Sequence, residues 1–168
     1  MDIRTTHVPG FKIGTAEDRE GLTGVTVFLA PEDGAAAGLD VRGCAPGTRE
    51  TDLLSPEKTV QKIHAVVLSG GSAFGLEADS GVMRYLAEQG IGFPVGDSAV
   101  PIVCGAVLFD LSIGDPHAFP DLEMGIKAAS AAGTDFPVGC YGAGTGASVG
   151  TLTGFEHAMK SGARYAEI

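Results

Sequence analysis

Residues 64–75 read H-A-V-V-L-S-G-G-S-A-F-G, and this junction constrains the fold more than any other stretch. A β-branched apolar run stops at two glycines and a serine, and a helical apolar pattern starts straight after. Such a run is a strand, so the chain passes from strand to helix through a tight glycine corner. The first N–H groups of a helix lack partners within it and lie at the positive end of its dipole. An anion fits there, as does an oxygen that becomes anionic during a reaction. Two readings of Gly70, Gly71 and Ser72 stand. One is an anion or oxyanion cradle of backbone N–H groups with Ser72 as a helping hydroxyl. The other is a turn whose glycines only permit unusual backbone angles. Gly71-Ser72-Ala73-Phe74 is not G-x-S-x-G, and no Gly-Lys-Ser/Thr follows. Neither a nucleophile elbow nor a nucleotide-binding P-loop is indicated.

The pattern on either side predicts a mixed fold. Residues 24–30 read as a strand, and residues 35–42 as a second one after the turn Pro31-Glu32-Asp33-Gly34, giving an antiparallel hairpin. Residues 11–15 form a third, shorter strand, and residues 43–54 a long loop. Ser55-Pro56-Glu57 opens a short helix that ends near Ile63. A helix over residues 73–89 places Phe74, Ala78, Val82, Tyr85 and Leu86 on one face and stops at Gly90. Residues 91–95 and 100–111 are extended, the second as a buried central strand. Asp121 caps a helix over residues 122–132, and a last helix includes residues 155–160. Strands first, then strands alternating with helices, point to an α/β or α+β layered sandwich. The 168 residues form one domain, residues 1–168.

Charge and composition narrow the function. The net charge of −10, with no run of Lys or Arg, opposes a nucleic-acid partner. An acidic surface can instead steer ammonium groups. Residues 1–10 hold no apolar signal core, and the longest apolar stretch, residues 99–111, is too short to cross a bilayer. No membrane association is expected. Cys44, Cys104 and Cys140 are odd in number and form no C-x-x-C, which reads as reduced thiols of a cytoplasmic protein. His7, His64, His117 and His157 are far apart, none at metal-ligand spacing. Neither a metal nor a cofactor is expected.

Two further segments carry candidate site residues. Tyr141-Gly142-Ala143-Gly144-Thr145-Gly146-Ala147 meets the loose G-x-G-x-x-A form, with Glu167 at a suitable distance. The strand before it contains Pro137, and the residues after it form a poor helix. A glycine wall at Gly144, Thr145 and Gly146, where a substrate approaches the backbone, suits the segment better than a dinucleotide. In the loop around Pro46-Gly47, Arg42, Arg49 and Glu50 either order a substrate carboxylate or satisfy one another as an ion network.

Taken in order, several motifs resemble the P1 peptidase family of L-aminopeptidase/D-esterase and the β-aminopeptidases. They are V-R-G-C-A-P-G-T-R-E-T-D-L-L (41–54), H-A-V-V-L-S-G-G-S-A-F-G-L-E-A (64–78), G-V-M-R-Y-L-x-E-x-G-I-G-F-P-V-G (81–96), V-P-I-V-x-x-A-V-L-F-D-L (100–111) and G-A-G-T-G-A (142–147). The match runs from Val8 to about Gly162. The resemblance implies an α-β-β-α layered sandwich like that of N-terminal-nucleophile hydrolases. It implies a precursor that cuts itself, leaving an N-terminal Ser or Thr as nucleophile with its own α-amino group as base. It implies release of N-terminal residues from small peptides, amides or esters without a metal, by a homo-oligomer.

The chain departs from that pattern in length. Family precursors are about twice as long, and the nucleophile lies in the part beyond Ile168. The fold is therefore expected to be incomplete, and the catalytic nucleophile to be absent from this chain. Three explanations stand: a truncated product, one half of a two-chain enzyme whose partner chain carries the nucleophile, or a shortened relative. In the last case the chain is a non-catalytic small-anion-binding or assembly protein. The missing half would leave core strands exposed, so oligomers are expected to form through that face.

Overall fold

In the computed structural model, which describes residues 1–166, the glycine corner joins a strand to a helix as the sequence predicts. Glu167, part of the dinucleotide-type pattern, lies outside the described residues. In chain order the strands are β1 (Asp2–Thr5), β2 (Lys12–Asp18), β3 (Thr23–Leu29), β4 (Thr48–Arg49) and β5 (Ala65–Ser69). Helix α1 (Glu77–Glu88), β6 (Phe93–Val95), β7 (Ser98–Val100) and β8 (Val103–Val107) follow. The chain continues through α2 (Leu122–Ser130), β9 (Asp135–Val138), β10 (Ser148–Val149) and β11 (Met159–Lys160).

The main sheet has the order β2-β3-β5-β8-β4. Its pairs are antiparallel except β5 with β8, which are parallel. Two neighbouring parallel strands need a crossover, and α1 supplies it. Along each strand alternate residues face opposite sides. Val25, Val27, Leu29, Ala65, Val67 and Val103 face the helices and bury against Ala78, Val82 and Leu86 of α1 and Ala128 and Ala129 of α2. Asp121 caps α2 as expected, its Oδ1 accepting the Met124 N–H at 2.8 Å.

The two helices meet through glycines. A Cβ on Gly81 would lie 2.0 Å from the Leu122 carbonyl oxygen, and one on Gly125 2.0 Å from that of Ala78. Backbone cannot yield as a side-chain tip can, so Gly81→Ala is expected to cost about 1–3 kcal/mol. Urea denaturation measures it. An unchanged midpoint would mean that the helices can part freely.

On the opposite side of the sheet the cover is partial. The Ala143 N–H donates to Thr26 Oγ1 at 3.2 Å, bringing residues 142–145 over β3. Cys104 packs with Ile63 and Ile102 under Leu53, Leu54 and Val60. Between these patches Phe28, Val66 and Ala106 are half-buried and Leu68 is 39% exposed. The described residues thus form a helical layer on one face of a mixed five-stranded sheet, with three further two-stranded sheets, in keeping with part of a layered α/β sandwich. Apart from the main sheet, β1 pairs antiparallel with β9, and Tyr165 sits edge-on to Phe136 at 4.8 Å.

Four expectations are corrected. The turn at residues 31–34 closes, with the Gly34 N–H on the Pro31 carbonyl at 2.8 Å, but residues 35–42 do not return along β3. Both edges of β3 are taken by β2 and β5, so Ala35 bridges to Ile63 and residues 36–42 stay irregular and exposed. No helix forms over residues 55–63. Ser55 is extended at ψ 134°, as an N-cap residue would be, yet only a single turn closes after it, from Lys58 N–H to Ser55 O. The extended run 100–111 is divided. Pro101 has no N–H for a ladder, so Val100 ends β7 and β8 starts at Val103. The last predicted helix is a 3₁₀ turn over Phe155–His157 followed by β11.

Candidate functional site

At the end of β5 the backbone N–H groups turn inward in succession. Gly70 donates to the Gly24 carbonyl at 2.9 Å and Ser72 to that of Leu108 at 3.0 Å. Between them the Gly71 N–H donates to Asp110 Oδ1 at 2.6 Å. Gly71 and Ser72 both have positive φ, 76° and 52°, before the 3₁₀ turn Ser72–Leu76 leads into α1. Glycine adopts such an angle freely, whereas for Ser72 it is an uncommon conformation held by its surroundings.

The junction therefore holds an anion, and the anion is the protein's own. Asp110 is 3% exposed, and its other oxygen accepts the Thr23 hydroxyl at 2.8 Å. A Cβ on Gly70 would fall 2.1 Å from Asp110 Oδ2, and one on Gly146 2.3 Å from the same atom. Both glycine segments close on one carboxylate, and any side chain at either position would displace it. Leu22, just before Thr23, has φ 56°, and its carbonyl would lie 2.5 Å from that Gly146 Cβ. Two non-glycine residues with left-handed backbone thus flank Asp110, a concentration of local strain typical of functional sites.

The second glycine wall is fixed from behind. Residues 142–146 are buried. The Gly142 N–H donates to Glu17 Oε2 at 3.0 Å, and Arg19 pairs with Glu17 Oε1 at 2.8 Å while lying over the Tyr141 ring at 4.7 Å. Thr145 Oγ1 donates to the Cys140 carbonyl at 3.4 Å. Lys160 Nζ donates to the carbonyls of Gly144, Ala147 and Ser161 at 2.8, 3.3 and 2.8 Å. The ammonium thereby ties β11 to the wall.

Of the residues singled out in the sequence, Gly70, Gly71 and Gly146 come together. Ser72 is half-buried beside them, and Gly144 and Thr145 continue the second wall. Phe74, expected on one helix face with Ala78, Val82, Tyr85 and Leu86, is instead 59% exposed and stacked on Phe119 with ring centroids 4.6 Å apart. The loop arginines separate. Arg42 is exposed and pairs with Asp40 at 2.6 Å. Arg49 donates to Ser80 Oγ on α1 at 2.7 Å and to Met83 Sδ at 3.6 Å. Glu50 is exposed at φ 56°, and its carbonyl accepts the Cys104 thiol at 3.5 Å. Sequence reasoning missed Thr23, Asp110, Glu17 and Lys160. Asp110 alone had a signal, as the one acid within the apolar run 99–111.

Two titratable groups behind the junction are strongly perturbed. Asp79 on α1 is 1% exposed with neither carboxyl oxygen hydrogen-bonded. Burial pushes it up to about 7, against the pull of Arg49. Burial, Glu50 and Asp79 push the Cys104 thiol up to about 11, so it is no thiolate nucleophile. Desolvation lowers His64, whose Nδ1 accepts the Ile102 N–H at 3.1 Å, as a neutral ring does. Among the described residues no group of His, Cys, Asp or Glu could hold a metal ion. No described helix is long and apolar enough to cross a membrane.

Known proteins resemble this chain in sequence and in fold. The sequence model for peptidase family S58 matches residues 4–155. An uncharacterized aminopeptidase of Mycobacterium tuberculosis is 50% identical over 131 residues, which cover 78% of this chain and 38% of the relative. A 6-aminohexanoate-oligomer endohydrolase of Paenarthrobacter ureafaciens is 38% identical over 145 residues, covering 86% of this chain and 38% of that enzyme. Among solved structures, a protein of Pyrococcus horikoshii OT3 superposes with a TM-score of 0.64 at 20% identity, covering 87% of this chain and 47% of its own. The L-aminopeptidase D-Ala-esterase/amidase of Ochrobactrum anthropi, a variant of the Ntn hydrolase fold, superposes with a TM-score of 0.63 at 20% identity, covering 83% of this chain and 42% of its own. The chain spans about two fifths of the length of the curated relatives it matches.

Proposed function

Because this chain belongs to peptidase family S58, we propose that it forms part of an aminopeptidase-like hydrolase that releases N-terminal residues from small peptides, amides or esters. The observation that carries this reading is the closure of two glycine segments on the buried Asp110 carboxylate. It makes one rigid platform from residues distant in sequence. Rigid placement of reacting groups is a large part of such catalysis.

In this reading Gly70, Gly71 and Ser72 form one wall of the substrate site, and Gly144, Thr145 and Gly146 the other. The N–H groups of residues 70–72 already have acceptors, so they shape the site and other groups supply the oxyanion donors. Arg49 and Glu50 order the bordering loop, while Arg42, paired with Asp40 at the surface, has no direct part. The nucleophile is a Ser or Thr freed by self-cleavage, carried by the segment that occupies the remaining length of the relatives. Its hydroxyl attacks the scissile carbonyl as its α-amino group takes the proton; that proton passes to the leaving amine or alcohol as the C–N or C–O bond breaks, and water then hydrolyses the acyl-enzyme ester, releasing the acyl group and restoring the hydroxyl. No step calls for a metal or cofactor. The net charge of −10 favours substrates with a free ammonium, as an N-terminal residue or an amino-terminated amide oligomer has. The protein works as a homo-oligomer in the cytoplasm, a reading consistent with its three free cysteines.

The test joins residues 1–166 to the remaining segment of the mycobacterial relative. Mass spectrometry should find a new Ser or Thr N-terminus. Aminoacyl anilides should be hydrolysed by the joined protein and not by the 168-residue chain. A folded joined protein with neither property overturns the reading. The alternative, a small-anion-binding protein, is weakened because Asp110 already fills the junction. An assembly role stands on the partly open sheet face.

A further inference from the structure

Asp79 stands out among buried side chains because neither carboxyl oxygen has a hydrogen-bond partner. Its place is built for it. A Cβ on Gly105 would lie 1.9 Å from Asp79 Oδ2, so β8 carries glycine where the carboxyl group rests. An unpaired polar group in such a place is costly, and a nearby donor that could reach it calls for explanation.

That donor is Arg49, at the end of the two-residue edge strand β4. Its guanidinium acts electrostatically on Asp79. Its hydrogen bonds go to the next residue on α1, Ser80, and to the thioether of Met83, a weak acceptor. A carboxylate is a far better acceptor for a guanidinium fork than a sulfur. We infer that Arg49 and Asp79 form an exchangeable latch. When Asp79 releases its proton to solvent, the guanidinium leaves Met83 and closes on the carboxylate, clamping β4 to α1. When Asp79 is protonated, the guanidinium rests on Ser80 and Met83, and β4 is tied to α1 by those weaker hydrogen bonds beside its short pairing with β8.

The charges coupled to Asp79 are few. From β4 the facing charge is Arg49, followed by Glu50. From β8 it is Cys104, which stays a neutral thiol through the neutral range. On α1 the guanidinium's own partners are the uncharged Ser80 and Met83. From α2 the contact is made by Gly125 against the Ala78 carbonyl, with no charge. The latch would set how firmly the 47–50 loop is seated behind the glycine junction, independently of any hydrolytic activity.

The test is NMR of the 168-residue chain. The Asp79 carboxyl carbon should titrate near neutrality, and the Arg49 guanidinium signals should move with it. Amide exchange of Thr48 and Arg49, corrected for intrinsic rate, should slow about tenfold across that titration, the equivalent of one unit of linkage. In Asp79→Asn the Arg49 signals and the β4 exchange should lose this pH dependence. Arg49→Met should move the Asp79 titration still higher, which keeps the test available should the Asp79 variant fold poorly. Titration of Asp79 near 4, or Arg49 signals blind to the Asp79 proton, overturns the latch.

Discussion

Asp110→Ala is expected to destabilise the chain by about 3–5 kcal/mol, because two buried hydrogen bonds to a charged acceptor are lost at about 1.5–3 kcal/mol each. The Gly71 N–H and the Thr23 hydroxyl both lose their acceptor, and water cannot reach them easily at a site 3% exposed. For a chain of this size the melting temperature should fall by roughly 6–20 °C. Asp110→Asn keeps an oxygen for the Gly71 N–H and should lose clearly less. Urea denaturation of the three proteins decides the matter. An alanine variant within about 1 kcal/mol of the parent would show that the two glycine segments do not depend on the carboxylate they enclose.

The second large effect is a pH dependence and comes from Asp79. Burial holds its carboxyl at about 7 in the folded chain against 3.8 ordinarily. Between those values the folded chain keeps a proton that the unfolded chain has released, so stability falls as pH rises from about 4 to about 7 and then levels. The full span corresponds to about 4 kcal/mol. Asp79→Asn has no proton to lose and should lack this decline. It should match the parent near pH 4 and exceed it near pH 8. Parallel urea curves for the two proteins at every pH would sink the assignment.

The corner at residues 69–75 was legible because it is local. A β-branched run, two glycines and a helical period follow one another within a dozen residues. The Asp121 cap was legible for the same reason. What the sequence concealed is competition between distant partners. Residues 24–30 and 35–42 have a good turn between them, yet β3 pairs with β2 and β5 instead, and nothing near residue 31 records that. Phase was lost as well. Phe74 fits a 3.6-residue face only if the helix begins at residue 73. A 3₁₀ turn over Ser72–Leu76 rotates it outward onto Phe119. The centre of the candidate site was hidden most deeply. Asp110 is bound by groups 39 and 87 residues away, so no local pattern marks it as more than one acid in an apolar stretch.

The pairing of β1 with β9 bears on how the chain is made. Thr5 Oγ1 donates to Asp135 Oδ1 at 2.6 Å across a separation of 130 residues. At about 5–20 residues per second of synthesis, the first strand waits roughly 7–25 s on the ribosome before its partner emerges. Its four residues are exposed even when paired, and Asp2 and Arg4 give it charge during that wait. β1 is thus made well before the strand it pairs with, and its polarity keeps it from pairing with strangers in the meantime.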